Sequence, residues 1–381
     1  MKKIIVFYCT YGGGHISAAK SIKNFIDNNY EDVDVEYIDC IEYINKYINK
    51  LSTKAYVEIT KNTPRLWKKL YTGANRGAIA TISNTSNKLM ALKLKKLIKE
   101  KKPDLVISTH PFSCFMCGIL KKKHKVDFEL ATIMTDYHIH NQWLYFPEYV
   151  NYFFVATEQM KNDMIELKIP AEKIFVTGIP ISSKFKENFD KEEIFDEFWL
   201  DKNKFTVLLF GGGEFGLGKS VAVKVLETII RMFKEIQVVA ISGKNKKMHK
   251  AFEELVDKTN SEARIKVLEF TDKVPELMSI SGIVVTKAGG LTITESLVSQ
   301  LPIIIINPIP GQEEENAQFL ENAGAAIWLK EKEKNIPRIL KNLYRNKEKL
   351  IQMKQASTNL AKPNSTKEIC NILLKSKEEQ S

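Results

Sequence analysis

Strand-like and helix-like segments alternate twice along this chain, and that order constrains its fold more than any single motif. The first series runs through IIVFYC, VDVEYID, DLVIST, LATIMT and NYFFVAT and closes with KIFVTGI. The second runs through FTVLLF, QVVAIS, IKVLEF, GIVVTK and PIIIIN. Short runs rich in β-branched residues suit strands of a parallel sheet covered on both faces. Their alternation with helical segments predicts sheets wound with helices on either side. The charged interval from Lys184 to Asp201 separates the series. The expected fold class is α/β, with two Rossmann-like parallel-sheet domains over residues 1–190 and 200–360, facing across a cleft. Residues 361–381 are expected to form a helical tail that packs back on the first domain. Ligands of such sheets bind at the carboxyl ends of the strands, and the glycine-rich segments fall there.

A chain of 381 residues, 44% of them hydrophobic, suits two domains of this kind. Apolar runs such as Leu301 to Ile306 are far shorter than the roughly 20 residues a membrane-spanning helix needs. Met1-Lys2-Lys3 leads straight into a strand, so no signal peptide is expected. Five cysteines read as reduced thiols of a cytoplasmic protein. Cys114 and Cys117 form a CxxC pair with no second pair or trailing histidine, which favours packing over metal binding. Between Lys54 and Lys102 there are thirteen Lys and Arg against Glu58 and Glu100, an excess as large as the net charge of +11. Tyr56, Trp67 and Tyr71 are interleaved with these cations. That combination suits either a solvated basic face or the surface of an anionic membrane, where each cation contributes about 1 kcal/mol. No base-reading module accompanies it, so nucleic acid is not the expected partner.

Four strand-to-helix junctions are built from small residues: Gly12-Gly13-Gly14-His15, Gly211-Gly212-Gly213-Glu214, Ser242-Gly243-Lys244-Asn245 and Lys287-Ala288-Gly289-Gly290-Leu291-Thr292. Bare N–H groups at a helix N-terminus attract anions, because the orphan donors and the helix dipole point the same way. One such turn is as readily a tight turn, but four across two domains favour a nucleotide diphosphate. The first loop lacks dinucleotide-fingerprint spacing, and GGGEFGLGK misses the P-loop pattern because Gly216 and Lys219 are not adjacent. Asp32-Val33-Asp34 sits in an alternating segment and reads as an edge strand, so neither a metal nor another cofactor is expected. Glu295 lies about one turn into the helix that Gly289 and Gly290 open, where a carboxylate can accept both ribose hydroxyls. Gln312 and Glu313 follow the next strand, where they can hydrogen-bond sugar hydroxyls.

The segments YGGGHISAAKSI, STHPF, MTDYHIHNQW, KIFVTGIPISSKF, GKN, TKAGGLTITES and PGQEEENAQFLENAGAA together resemble the diacylglycerol glycosyltransferases. That group comprises processive diacylglycerol β-glucosyltransferases and monogalactosyldiacylglycerol synthases. It is more distantly similar to the N-acetylglucosaminyltransferase that makes lipid II. The resemblance runs from Lys3 to about Ala326 in unchanged order. It implies GT-B architecture, an inverting mechanism without a required metal, a UDP-sugar donor and a diacylglycerol acceptor. It assigns Glu295 to the ribose, Gly289, Gly290 and Thr292 to the diphosphate, and Gln312 and Glu313 to the hexose. The backbone of Phe270 and Thr271 is implied to read the uracil edge, and Asp136, His140 and Trp143 to lie near the acceptor. The stretch around Trp67, with Arg65, Lys68 and Lys69, falls where such enzymes dock on membrane, which implies a peripheral place on the inner face of the cell membrane.

The reaction so implied needs a base, a cradle for the leaving diphosphate, and exclusion of water. His15 is the candidate base, because a neutral imidazole accepts a proton at cellular pH and a helix N-terminus disfavours its charged form. Gly12 to Gly14 let an acceptor or phosphate approach where a Cβ would block it. Asp136 is the rival base, or the group that orients one. Galactosyl transfer to diacylglycerol, transfer of GlcNAc to a polyprenyl-linked acceptor, and a non-catalytic UDP-sugar sensor remain open alternatives.

Overall fold

The structure, a computed structural model, describes residues 1–10, 13–46, 58–60, 63, 66, 68–69, 84–211, 218–330 and 335–374. Gly12, Tyr56, Arg65, Trp67, Tyr71, Gly212 and Gly213, each singled out above, lie outside the described residues. The chain forms two compact units. One holds Met1–Ser183, Pro310–Gln312 and Asn364–Ser381, and the other holds Lys184–Ile309 and Glu313–Pro363.

In the first unit the order is β1 (Lys2–Tyr8), α1 (Gly13–Asn29), β2 (Val33–Asp39), α2 (Cys40–Ile44), α3 (Asn84–Lys101), β3 (Leu105–Ser108), α4 (Pro111–His124), β4 (Glu129–Ile133), β5 (Tyr152–Val155), α5 (Glu158–Glu166) and β6 (Ile174–Val176). The strands form one parallel sheet in the order β2-β1-β3-β4-β5-β6. Chain direction across the sheet reverses between β1 and β3, so the carboxyl ends of those two strands form its switch point. Val6, Leu105, Ile107, Ala131, Ile133 and Phe154 are fully buried and join one hydrophobic cluster with Ile22 and Ile26 of α1. Each larger side chain buried there contributes about 1.5–3 kcal/mol. Val33 and Asp34 open β2, an edge strand of the sheet, directly after Asp32, and Asp34 is exposed. Cys114 and Cys117 are both buried on α4, where burial pushes the Cys114 thiol up to about 11.

The second unit follows α6 (Lys191–Glu197) with β7 (Phe205–Phe210), α7 (Lys219–Met232), β8 (Ile236–Ile241), α8 (Lys246–Lys258), β9 (Ile265–Leu268), α9 (Val274–Ile280), β10 (Ile283–Thr286), α10 (Gly290–Val298), β11 (Ile303–Ile306), α11 (Gln312–Asn322), β12 (Ala326–Leu329), α12 (Ile336–Arg345) and α13 (Lys347–Leu360). Its parallel sheet has the order β12-β11-β10-β7-β8-β9, so the switch point lies between β7 and β10. Strand β12 is absent from the sequence-based series. Its four residues pair with β11 on one side only, and Ala-Ala after a glycine carries little strand signal.

The last helix, α14 (Ser365–Leu374), belongs to the first unit. Ile369, Cys370 and Leu373 join the first sheet's hydrophobic cluster. Lys2 Nζ donates to the Leu373 carbonyl at 2.9 Å, and Thr366 Oγ1 donates to the Ile181 carbonyl at 2.7 Å.

Candidate active site

The first unit gathers its reactive side chains at the carboxyl ends of β1, β3 and β4, three adjacent strands. His15 stands in the first turn of α1, Thr109 and His110 follow β3, and Thr135 and Asp136 follow β4. His15 Nδ1 lies 2.7 Å from the Thr109 carbonyl oxygen and 3.0 Å from Thr135 Oγ1. A carbonyl can only accept, so Nδ1 carries the hydrogen, which leaves the lone pair on Nε2. Thr109 Oγ1 donates in turn to the His15 carbonyl at 3.0 Å and the Phe7 carbonyl at 3.2 Å, fixing the loop on β1. Thr109 and Thr135 thus orient the histidine from two different strands. They are residues that sequence reading missed, since an isolated threonine after a strand carries no signal.

Burial pushes the His15 imidazole down to about 4, against a smaller upward pull from the Thr109 carbonyl. The neutral form is therefore favoured, with desolvation the largest cause. The His110 ring meets His15 edge-on at 4.5 Å between centroids, and its Nδ1 accepts the Phe112 N–H at the start of α4. Burial, then the neighbouring His15 and His140, hold His110 well below the usual histidine range. His140 is likewise pushed to about 3, by burial first and then by His15 and His138. Burial thus favours the neutral form of all three imidazoles. The His15 resonance is expected to titrate near pH 4 in the unliganded protein, which an NMR titration of ring protons checks. A midpoint near 6.5 would mean that water reaches the ring.

Asp136 is buried, and Gln312, grouped with this unit, donates from Nε2 to Asp136 Oδ2 at 2.5 Å. His140 precedes the helical turn Asn141–Leu144, and its ring lies 6.1 Å from that of Trp143. Trp143 is only 1% exposed. Gly14 is half-buried beside His15, whereas the Cβ face of Gly13 opens onto empty space. Lys68 and Lys69 are exposed.

The second unit presents its loops at the carboxyl ends of β8, β9, β10 and β11. Gly243 has φ +60°, a conformation that favours glycine, and Asn245 caps α8 by accepting the Met248 N–H at 3.1 Å. Lys244 Nζ lies 5.7 Å from the ring centroid of Phe270, which is 69% exposed. Two residues read separately from the sequence are thus neighbours, through the adjacency of β8 and β9. Thr271 Oγ1 accepts the Lys273 N–H at 3.1 Å. Gly211 is a packing glycine: a Cβ there would meet the Met248 sulfur at 2.3 Å.

At the β7/β10 switch point, Gly289 occupies the cap position of α10 and no side chain among the described residues caps the helix. Its first N–H groups are therefore presented bare, with Gly290 buried and Thr292 half-buried in the first turn. Thr294 and Ser296 turn their hydroxyls back onto the Gly290 and Thr292 carbonyls, each at 2.7 Å. Glu295, half-buried on the next turn, has its carboxyl pushed up to about 8 by desolvation. Glu313 is 6% exposed, and both of its oxygens are engaged: Oε1 with Lys287 Nζ at 2.5 Å, Oε2 with the Ile309 N–H at 2.8 Å. Asn316, fully buried one turn along α11, donates from Nδ2 to the Ala288 carbonyl at 3.0 Å. No cluster of metal-ligating side chains occurs among the described residues, and no helix there is long and apolar enough to cross a membrane.

The family profile described as monogalactosyldiacylglycerol (MGDG) synthase matches residues 15–181, and that of the glycosyltransferase family 28 C-terminal domain matches residues 206–369. The chain is 30% identical over 373 residues to the processive diacylglycerol β-glucosyltransferase of Bacillus cereus, covering 98% of this chain and 93% of the relative. The chain belongs to the diacylglycerol glycosyltransferase family. Its counterpart in Bacillus cytotoxicus is 31% identical over the same shares of the two chains. Among solved structures, MurG of Acinetobacter baumannii superimposes with a TM-score of 0.64 at 15% identity, over 99% of this chain and 100% of that one. The S. aureus MnaA–UDP co-structure gives a TM-score of 0.65 at 15% identity, over 98% and 96%. At such identities these likenesses show the fold, which is GT-B. His15, Thr109, Thr135, Asp136 and the second unit's loops fall within residues that the two family profiles match.

Proposed function

We propose that this chain transfers glucose from UDP-glucose to the hydroxyl of diacylglycerol, with inversion and without a metal ion. The observation that carries this reading is the relation to processive diacylglycerol β-glucosyltransferases along 98% of the chain, which takes in both loop clusters. Galactose and GlcNAc are the competing donor sugars. The acceptor hydroxyl lies near His15, whose Nε2 takes its proton as the oxygen attacks the anomeric carbon. The bond from that carbon to the β-phosphate oxygen breaks, and UDP leaves with the electron pair. One displacement inverts the configuration. Asp136 offsets the imidazolium that forms, while His140 and Trp143 shape the acceptor side.

On the donor side, the bare N–H groups of Gly289 and Gly290, with the Thr292 hydroxyl, receive the diphosphate in place of a metal. Glu295 accepts the ribose hydroxyls, Phe270 and Thr271 read the uracil edge through their backbone, and Gly243 and Lys244 border that end. Gln312 reads the hexose. Incubating the protein with diacylglycerol vesicles and, separately, UDP-glucose, UDP-galactose and UDP-GlcNAc in EDTA tests the reading. Glucosyldiacylglycerol is the expected product. Activity that needs added magnesium would refute the metal-free cradle, and a galactolipid would reassign the donor.

A lipid acceptor requires contact with a bilayer, and the basic segment around Arg65, Lys68 and Lys69 is proposed to make it on the inner face of the membrane. Each cation near an anionic surface adds about 1 kcal/mol, less at high salt. Reversing these three residues to Glu is expected to reduce flotation with phosphatidylglycerol vesicles while sparing activity on a detergent-dispersed short-chain diacylglycerol. Undiminished flotation would rule the segment out as the anchor.

A further inference from the structure

The Lys287–Glu313 pair lies beside Gly289, the cap residue of α10. A Cβ built on Gly289 would lie 3.6 Å from Glu313 Oε1 and 3.8 Å from Lys287 Cε. The pair is tight, at 2.5 Å, and sheltered, with side-chain exposures of 22% for Lys287 and 8% for Glu313. Sheltered ion pairs contribute little net stability, because desolvating both charges offsets their attraction. Stability alone therefore explains poorly why a cation is held here. A carboxylate beside an uncapped helix N-terminus has a clearer meaning, since it is an anion at a place suited to anions. Asn316, one turn after Glu313 on the same helix face, engages the Ala288 carbonyl at 3.0 Å. That bond keeps the carbonyl next to the cradle occupied, so it does not face an incoming anion.

We infer that Lys287 is the counter-cation of the donor's diphosphate and that Glu313 holds it in place while the site is empty. This inference rests on the donor-site reading given above. When the diphosphate arrives, its oxygens compete with Glu313 Oε1 for Lys287 Nζ, while Glu313 Oε2 keeps the Ile309 N–H. As the bond from the anomeric carbon to the β-phosphate oxygen breaks, the electron pair moves onto that oxygen, and Lys287 neutralises part of the added charge. Glu313 is then a positioning residue for Lys287 and not a ligand of the hexose. The two side chains should accordingly change nucleotide affinity in opposite directions.

Calorimetry with UDP and with uridine, on variants whose folding is checked by thermal melting, tests this. Lys287→Met is expected to weaken UDP about 10- to 100-fold, the size of a lost charged hydrogen bond, while leaving uridine unchanged. Lys287→Arg is expected to recover most of the loss. Glu313→Gln is expected to tighten UDP several-fold, because a like charge is removed from beside the diphosphate. Unchanged UDP affinity in Lys287→Met, or equal losses for UDP and uridine, would overturn the inference. So would a Glu313→Gln variant that binds UDP no better than the parent. If Lys287→Met does not fold, the sign of the Glu313→Gln effect decides alone. Loss of uridine affinity in Glu295→Ala tests the donor site separately: if it stays unchanged, the site itself is misplaced, whatever Lys287 does.

Discussion

His15→Ala is expected to lower kcat by about 10²- to 10⁴-fold, the usual contribution of a general base, with donor affinity nearly unchanged. The imidazole is oriented by the Thr109 carbonyl at 2.7 Å and Thr135 Oγ1 at 3.0 Å, so its tautomer is set before substrate arrives. Its resting pKa of about 4 keeps it neutral, and the base-competent form should persist well below pH 6. With donor saturating, the acid limb of kcat is therefore expected to lie below the ordinary histidine range. Thr135→Val, which removes one of the two orienting contacts, should lower kcat more mildly and leave KM for the donor in place. The comparison that matters is with Asp136→Asn. If that variant is the more crippled and His15→Ala retains substantial turnover, the two residues exchange roles.

Glu295→Ala is expected to weaken UDP binding about 30- to 150-fold above pH 8, where the carboxyl is charged, the loss of charge-assisted bonds to two hydroxyls at about 2–3 kcal/mol. The structure adds a pH dependence to that expectation. Desolvation holds the empty carboxyl near 8, so it is largely protonated at neutral pH. Ribose hydroxyls donating to the carboxylate favour its charged form and lower its pKa in the complex. Binding then releases a proton, and UDP affinity should rise with pH up to about 8 and level off above it. In Glu295→Gln that slope should vanish. Calorimetry between pH 6 and 9 reads both effects, and an affinity independent of pH in the parent would remove Glu295 from the ribose.

The two parallel sheets were legible because their strands are short β-branched runs separated by helical spans, a pattern that depends only on local sequence. Strand β12 was not, since AIWL behind a glycine gains its strand character from pairing with β11. The placement of His15 at a strand's carboxyl end was legible from the glycines before it. The partners that orient it were not, because Thr109 and Thr135 lie 94 and 120 residues away in the chain. That Gly289 and Gly290 stand at the start of a helix could be read from the small residues between a strand and a helical span. That Glu313 would pair with Lys287 and bond the Ile309 N–H could not, because a run of three glutamates at a helix start reads equally well as surface charge. Gly211 shows the converse: it sits in a glycine-rich loop, yet the side chains of Met248 and Phe252 pack where its Cβ would be.

The most direct measurement is the anomeric configuration of the lipid product. Glucosyldiacylglycerol made from UDP-α-glucose in diacylglycerol vesicles, in EDTA, should be isolated and its anomeric proton coupling read by NMR. A single displacement by an oxygen that has lost its proton to His15 predicts the β-anomer as the only product. An α-linked product would contradict the one-step inversion, and the absence of any glucosylated diacylglycerol would contradict the assignment of donor and acceptor on which the mechanism stands.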